Sequence, residues 1–279
     1  MITIECEKVS KSFGAPGSPN RTLALDNASI DVERGELLCF IGPSGCGKST
    51  LLNIIAGLTE ATSGDVLVDG APVQGPLPRK IAFVFQESAL FPWRTVMDNV
   101  KLGLAFQNVP KGERDDRASE ALHAVGLADF ANHYPRQLSG GMKQRVQLAR
   151  ALCLGTDILL MDEPFAALDE QTRMVMGEDL SVLLARTGKT IVFVTHSLVE
   201  AVFLADRVAV FTARPGRIKT VLSVDEGHPR KQSFIKSAKL ADMRNELYDL
   251  LHDEVRKTME LRSEAADSGP RAQTRGLRR

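Results

Sequence analysis

Three short stretches carry residue types whose spacing implies chemistry. Gly42-Pro43-Ser44-Gly45-Cys46-Gly47-Lys48-Ser49-Thr50 has the spacing GxxxxGK[ST]. Glycines let backbone N–H groups turn inward and approach an anion without a Cβ in the way. In this pattern Lys48 adds a full charge for the β- and γ-phosphates of a nucleotide, and the Ser49 hydroxyl ligates Mg²⁺. Ile158-Leu-Leu-Met161-Asp162-Glu163 is an apolar run ending in two carboxylates. At the carboxyl end of a strand, where ligands bind in open α/β sheets, Asp162 suits a Mg²⁺ shell and Glu163 suits a general base for an attacking water. Leu138-Ser139-Gly140-Gly141-Met142-Lys143-Gln144-Arg145 is a second glycine-rich turn opening a helix, and so a second anion site. Cys46 lies inside the first loop, where backbone N–H groups and Lys48 are expected to lower its thiol pKa; the alternative is an inert filler.

These stretches need elements to hold them. Leu37–Ile41 reads as a buried strand running into the first loop, and Lys48–Leu58 has helical apolar spacing after it. Further strands are expected at Ile81–Phe85, Ile158–Met161, Ile191–Thr195 and Arg207–Phe211. Helices are expected from Val96 to about Phe130 with a break at Val109–Gly112, and at Ser139–Leu154, Leu168–Arg186 and Leu198–Ala205. Strands alternating with helices predict an α/β fold with a mainly parallel sheet, and the helix-rich block at about 96–150 predicts a subdomain inserted into it. After Pro215-Gly216 regularity falls, with one amphipathic helix expected at Glu246–Met259 and a disordered tail at 263–279.

Composition limits the function classes. The chain of 279 residues holds 35 basic and 35 acidic residues, so net charge gives no reason to expect a nucleic-acid partner. No apolar stretch approaches the roughly 20 residues a membrane span needs, and the start lacks the pattern of a signal peptide, so a cytoplasmic location is expected. Cys6, Cys39, Cys46 and Cys153 have neither metal-ligand nor disulfide-framework spacing.

The two glycine loops and the acidic strand end, in this order, resemble the ATP-binding cassette (ABC) ATPases, whose signature is LSGGQ; here Met142 stands where that family commonly has Gln. The resemblance spans about residues 2–225. It implies a P-loop NTPase core with an antiparallel β-subdomain and an inserted helical subdomain, followed by an extension over 226–262. It also implies ATP and Mg²⁺ as ligands. By the same resemblance, Phe13 stacks on adenine, Gln86 contacts Mg²⁺ and the membrane partner, Ala167-Leu168-Asp169 crosses a dimer interface, and His196 senses the γ-phosphate. Residues 42–50 would contact the phosphates of one subunit's ATP, with Ser139, Gly140 and Gly141 reaching across from a second copy. Core packing is the competing reading for Phe13.

Leu90-Phe-Pro-Trp93-Arg-Thr-Val96 and Ala213-Arg-Pro-Gly-Arg217-Ile218 look like the ATPase subunits of nitrate, sulfonate and taurine importers. That implies permease partners at the cytoplasmic membrane face and, indirectly, an extracytoplasmic solute-binding protein. Trp93 reads as a partly buried loop anchor, and the resemblance implies that this region faces the membrane subunit; the two readings are compatible. An ABC exporter subunit and a non-transport ABC clamp are the alternatives. A long coiled coil between Lys48 and Ser139, or a second cassette, would favour the clamp, and the sequence has neither. A small-molecule P-loop kinase would lack Leu138–Gly141. The transported solute is not encoded in these residues.

Overall fold

A computed structural model describes residues 1–267 other than Pro16, Pro19 and Ala167. The chain starts with two long antiparallel strands, β1 (Ile2–Phe13) and β2 (Thr22–Glu33), followed by β3 (Leu37–Ile41) and α1 (Lys48–Ile55). β4 (Ser63–Val68) and β5 (Ala71–Pro72) complete a four-stranded sheet of order β2-β1-β4-β5. After β6 (Ile81–Val84) come α2 (Val96–Phe106), α3 (Lys111–Ala124) and α4 (Gly140–Cys153). Then β7 (Ile158–Asp162), α5 (Glu170–Thr187), β8 (Thr190–Val194), α6 (Leu198–Leu204), β9 (Arg207–Phe211) and β10 (Ile218–Ser223) alternate. α7 (Gln232–Ile235) and α8 (Ala238–Asp267) follow.

The second sheet has the order β10-β9-β3-β8-β7-β6, with β9, β3, β8, β7 and β6 parallel and β10 antiparallel at the edge. Its central strands β3, β8 and β7 are buried at every position because both faces are covered. In β3, Leu38 and Phe40 face a cluster with Leu51, Leu52 and Ile55 of α1 and with Ile4, Cys6 and Leu25 of the antiparallel sheet. Leu37, Cys39 and Ile41 face the opposite cluster, with Phe203 and Leu204 of α6 and Val100 and Leu104 of α2. The two-residue period of a strand thus feeds two cores, one on each side of the sheet.

The helical block divides where the sequence predicts a break. Thr95 caps α2 by accepting from Asp98 N at 3.1 Å, and Ser139 caps α4 by accepting from Met142 N at 3.3 Å. α2, α3 and α4 pack on one another through Val100, Leu104, Leu122, Val146 and Ala149, all buried. Arg150 of α4 donates to Ala89 O at 2.6 Å, tying this block to the loop after β6.

Three differences from the sequence reading have local causes. β4 and β10 lack a clean alternation, with β4 opening on three exposed residues and β10 only partly buried, so periodicity did not mark them. α8 is about twice the expected length; over 238–259 its buried side chains are Leu240, Leu247 and Glu254, spaced seven residues apart, and most of the others are exposed, so its apolar pattern is sparse. Of the expected tail, 263–267 lie in this helix and 268–279 lie outside the described residues. Among the described residues no helix is long and apolar enough to cross a membrane.

Candidate active site

The five parallel strands end on the same side, and each is followed by a residue lining one cleft of about 410 Å³. β3 leads into the glycine loop with Ser44, Gly45, Gly47, Lys48, Ser49 and Thr50. β6 is followed by Gln86, β7 by Glu163, β8 by His196 and β9 by Arg214. Phe13 and Ala24 of the antiparallel sheet close one side. Residues scattered over two hundred positions meet because parallel strands deliver their carboxyl ends to one edge.

The glycine loop is shaped by contact as much as by freedom. Gly47 has φ +110°, and a Cβ there would stand 2.7 Å from Leu25 Cδ2 and 2.9 Å from Ala24 O. Lys48 is buried, its ammonium donating to Gly42 O at 2.8 Å and Pro43 O at 3.0 Å. Gly42 and Pro43 therefore serve the loop through their carbonyls and do not line the cleft.

Asp162 continues the β7 face of Ile158 and Leu160, which looks toward α1, and there it accepts from the Ser49 hydroxyl at 2.9 Å. Burial pushes the Asp162 carboxyl up from its usual range; the Ser49 bond lowers it, the neighbouring Glu163 raises it and Lys48 lowers it. Simple alternation would send Glu163 to the other face. Instead Glu163 has φ +46°, with its N–H on Val194 O at 3.0 Å, and this turn aims the carboxylate into the cleft. Such a conformation costs a non-glycine residue roughly 1–3 kcal/mol, which the flanking β7–β8 pairing holds in place.

Two side chains converge on Glu163. Gln86 Nε2 donates to Glu163 Oε2 at 2.9 Å, and His196 Nε2 lies 2.6 Å from the same oxygen. The turn carrying His196 is itself held from behind. Thr195 donates to Glu200 Oε2 at 2.6 Å and accepts from Ser197 N at 3.0 Å, while Arg173 lies 3.5 Å from Glu200 Oε1. Thr195, Glu200 and Arg173 escaped the sequence reading because none belongs to a glycine loop or a strand-end carboxylate pair.

Phe13 is 47% exposed and lines the cleft, which excludes core packing. Ser139 and Gly140 are exposed at the start of α4, and neither they nor Gly141 lines the cleft. Asp169 caps α5, accepting from Thr172 N at 2.9 Å and from its hydroxyl at 2.7 Å; Ala167 lies outside the described residues.

Cys46 follows the inert-filler reading and not that of an activated thiol. It is 1% exposed, facing the apolar cluster under the loop and not the cleft, and burial raises its thiol pKa against the smaller lowering by Lys48. All four cysteines are buried. The folded protein is expected to resist iodoacetamide at Cys46 with and without ATP, and urea is expected to expose the thiol; mass spectrometry of the labelled peptide checks this. Rapid labelling of the folded chain would contradict the buried geometry.

Comparison with known proteins agrees with this geometry. Residues 25–166 match the ABC transporter family. This chain is an ABC transporter ATP-binding subunit and an ATPase. A nitrate import ATP-binding protein of Synechocystis is 47% identical over 222 residues, 78% of this chain and 83% of that protein. A taurine import ATP-binding protein of Rhizobium johnstonii is 45% identical over 249 residues, 87% of this chain and 92% of that protein. A solved dimeric ATP-binding cassette in a post-hydrolysis state with ADP and phosphate superposes with a TM-score of 0.72, at 35% identity, over 80% of this chain and all of that one.

Proposed function

We propose that this chain is the ATP-hydrolysing motor of an importer for nitrate-, sulfonate- or taurine-type solutes, working as a dimer on permease subunits at the cytoplasmic membrane face. An extracytoplasmic protein would deliver the solute. Two import relatives and the exposed loop after Gln86 support this reading. Residues 1–225 form the motor domain and 226–262 its extension.

The catalytic assignment follows from the cleft. The γ-phosphate of ATP lies against Lys48 and the N–H-lined loop, with Phe13 stacking on adenine. Glu163 takes a proton from the attacking water as its oxygen bonds to the γ-phosphorus. The bond from phosphorus to the ADP oxygen breaks, giving ADP and phosphate. Gln86 positions the water, and His196 contacts the γ-phosphate. The buried acidic pair Asp162 and Glu163 beside the Ser49 hydroxyl suits a hard cation. Ser49, Asp162 and Gln86 would hold Mg²⁺, which supplies charge neutralisation to the β- and γ-phosphates when bound.

The observation that carries the transporter reading is Trp93. Asn99, wholly buried, accepts from Phe91 N at 2.7 Å and donates to the carbonyls of Phe91, Arg94 and Thr95. This clamp fixes the loop, and Trp93 projects from it 71% exposed, with the Phe91 ring in an edge-to-face contact at 5.6 Å. The partly buried anchor expected from sequence is thus not found. An exposed aromatic on a rigid loop is the type of residue that dominates protein interfaces. Trp93→Ala is expected to weaken capture of detergent-solubilised permease at least about tenfold and to leave MgATP affinity unchanged. Pull-down and nucleotide titration check both; undiminished capture would remove this loop from the interface. Uptake of nitrate, sulfonates and taurine by vesicles with the reconstituted complex tests the solute class.

A further inference from the structure

We propose that Arg214 is an additional nucleotide-binding residue, its guanidinium packing on the nucleoside end of ATP beside Phe13, and that the C-terminal helix α8 holds it there through Glu254. The proposal rests on the cleft being the ATP site. Arg214 follows β9 just as the glycine loop, His196, Glu163 and Gln86 follow the other parallel strands, and it lines the same cleft. It is exposed and, among the described residues, has no hydrogen-bond or ion-pair partner, whereas neighbouring Arg217 is paired with Asp26.

The turn carrying Arg214 is fixed from both sides. Gly216 N–H donates to Ala24 O at 2.9 Å, and Asp26 N–H donates to Gly216 O at 3.0 Å. A Cβ on Gly216 would lie 1.8 Å from Cys46 O, so only glycine lets this turn press against the phosphate loop. The Thr212 hydroxyl donates toward the carbonyls of Ala213 and Pro215, at 3.0 and 3.1 Å, and accepts from Arg217 N. Ala24 is two residues beyond Thr22, the β2 partner of Phe13. The strap therefore sits between the Phe13 hairpin and the phosphate loop, at the end of the cleft where base and ribose belong. A guanidinium there can stack on an adenine face.

Behind this strap stands Glu254 of α8, buried, accepting from Ala213 N at 2.9 Å. Lys219 and Lys257 each donate to its other oxygen at 3.0 Å. The extension whose role the sequence left open thus grips the residue immediately before Arg214.

Isothermal titration of the full chain tests this with MgATP, MgADP and inorganic tripolyphosphate. Arg214→Ala is expected to weaken MgATP and MgADP equally, by about threefold to tenfold, and to leave tripolyphosphate binding unchanged. Glu254→Ala should weaken both nucleotides in the parent chain and add nothing in the Arg214→Ala background. Unchanged nucleotide affinity in Arg214→Ala, or a loss confined to MgATP or shared by tripolyphosphate, overturns the nucleoside contact. Additive losses in the double variant overturn the link to α8. If the parent chain binds neither nucleotide, the reading of the cleft falls with the proposal; if it binds both and Arg214→Ala matches it, the proposal alone falls.

Discussion

Glu163→Gln is expected to bind MgATP within about threefold of the parent chain and to hydrolyse it about 10²–10⁴ times more slowly, the usual range for losing a general base. Glutamine keeps the length and an acceptor oxygen for Gln86, which now donates to Glu163 Oε2 at 2.9 Å. It also retains nearly the same side-chain volume in the turn after β7. What it loses is the ability to take a proton from water, so the deficit falls on the chemical step and not on binding. Turnover and nucleotide affinity must be measured on the same preparation. Near-normal turnover would remove Glu163 from the catalytic role and leave the φ +46° turn without a functional explanation.

Chain continuity explains which parts of the site were legible in sequence. Lys48 and Ser49 stand in one uninterrupted loop, and Asp162 and Glu163 are adjacent at a strand end, so their geometry is fixed by a few neighbouring dihedrals. The alternation of strands and helices likewise located β3, β6, β7, β8 and β9, because their apolar runs are complete. Arg214 was different. Its place in the cleft depends on β9 pairing beside β3, a contact between positions remote in the chain. Glu200 and Thr195 act through side-chain bonds behind His196, and no spacing rule announces those. Cys46 shows the opposite error. Its place inside a cationic loop suggested an activated thiol, but the direction in which its side chain points is decided by the apolar cluster beneath, not by its neighbours in sequence. The exposure of Trp93 was hidden for a similar reason, since Asn99, six positions later, fixes the loop that carries it.

In the Glu163→Gln background, MgATP is expected to convert monomer to dimer, and MgADP is not. Within one chain the glycine loop lines the cleft, whereas Ser139 and Gly140 stand exposed at the start of the 14-residue α4 and line none of it. Ser139 Oγ accepts from Met142 N, leaving the other N–H groups of the first turn open to an anion. Such a turn would meet an anion if two copies paired about a two-fold axis, each presenting Ser139 to the γ-phosphate bound at the other's Lys48. The γ-phosphate would then be shared between two positive loops and link the subunits. Hydrolysis would remove it, and the opening that follows would be available to move a permease. Adding Ser139→Arg places a long side chain where the phosphate must approach and is expected to abolish the dimer, while ATP affinity of the monomer stays within about twofold because Lys48 and its loop are untouched. Light scattering with each nucleotide, beside a binding titration, reads both effects. A dimer that persists through the Ser139 change would show that α4 does not reach the partner's nucleotide, and a monomer that never dimerises with ATP would show that the γ-phosphate is not the link.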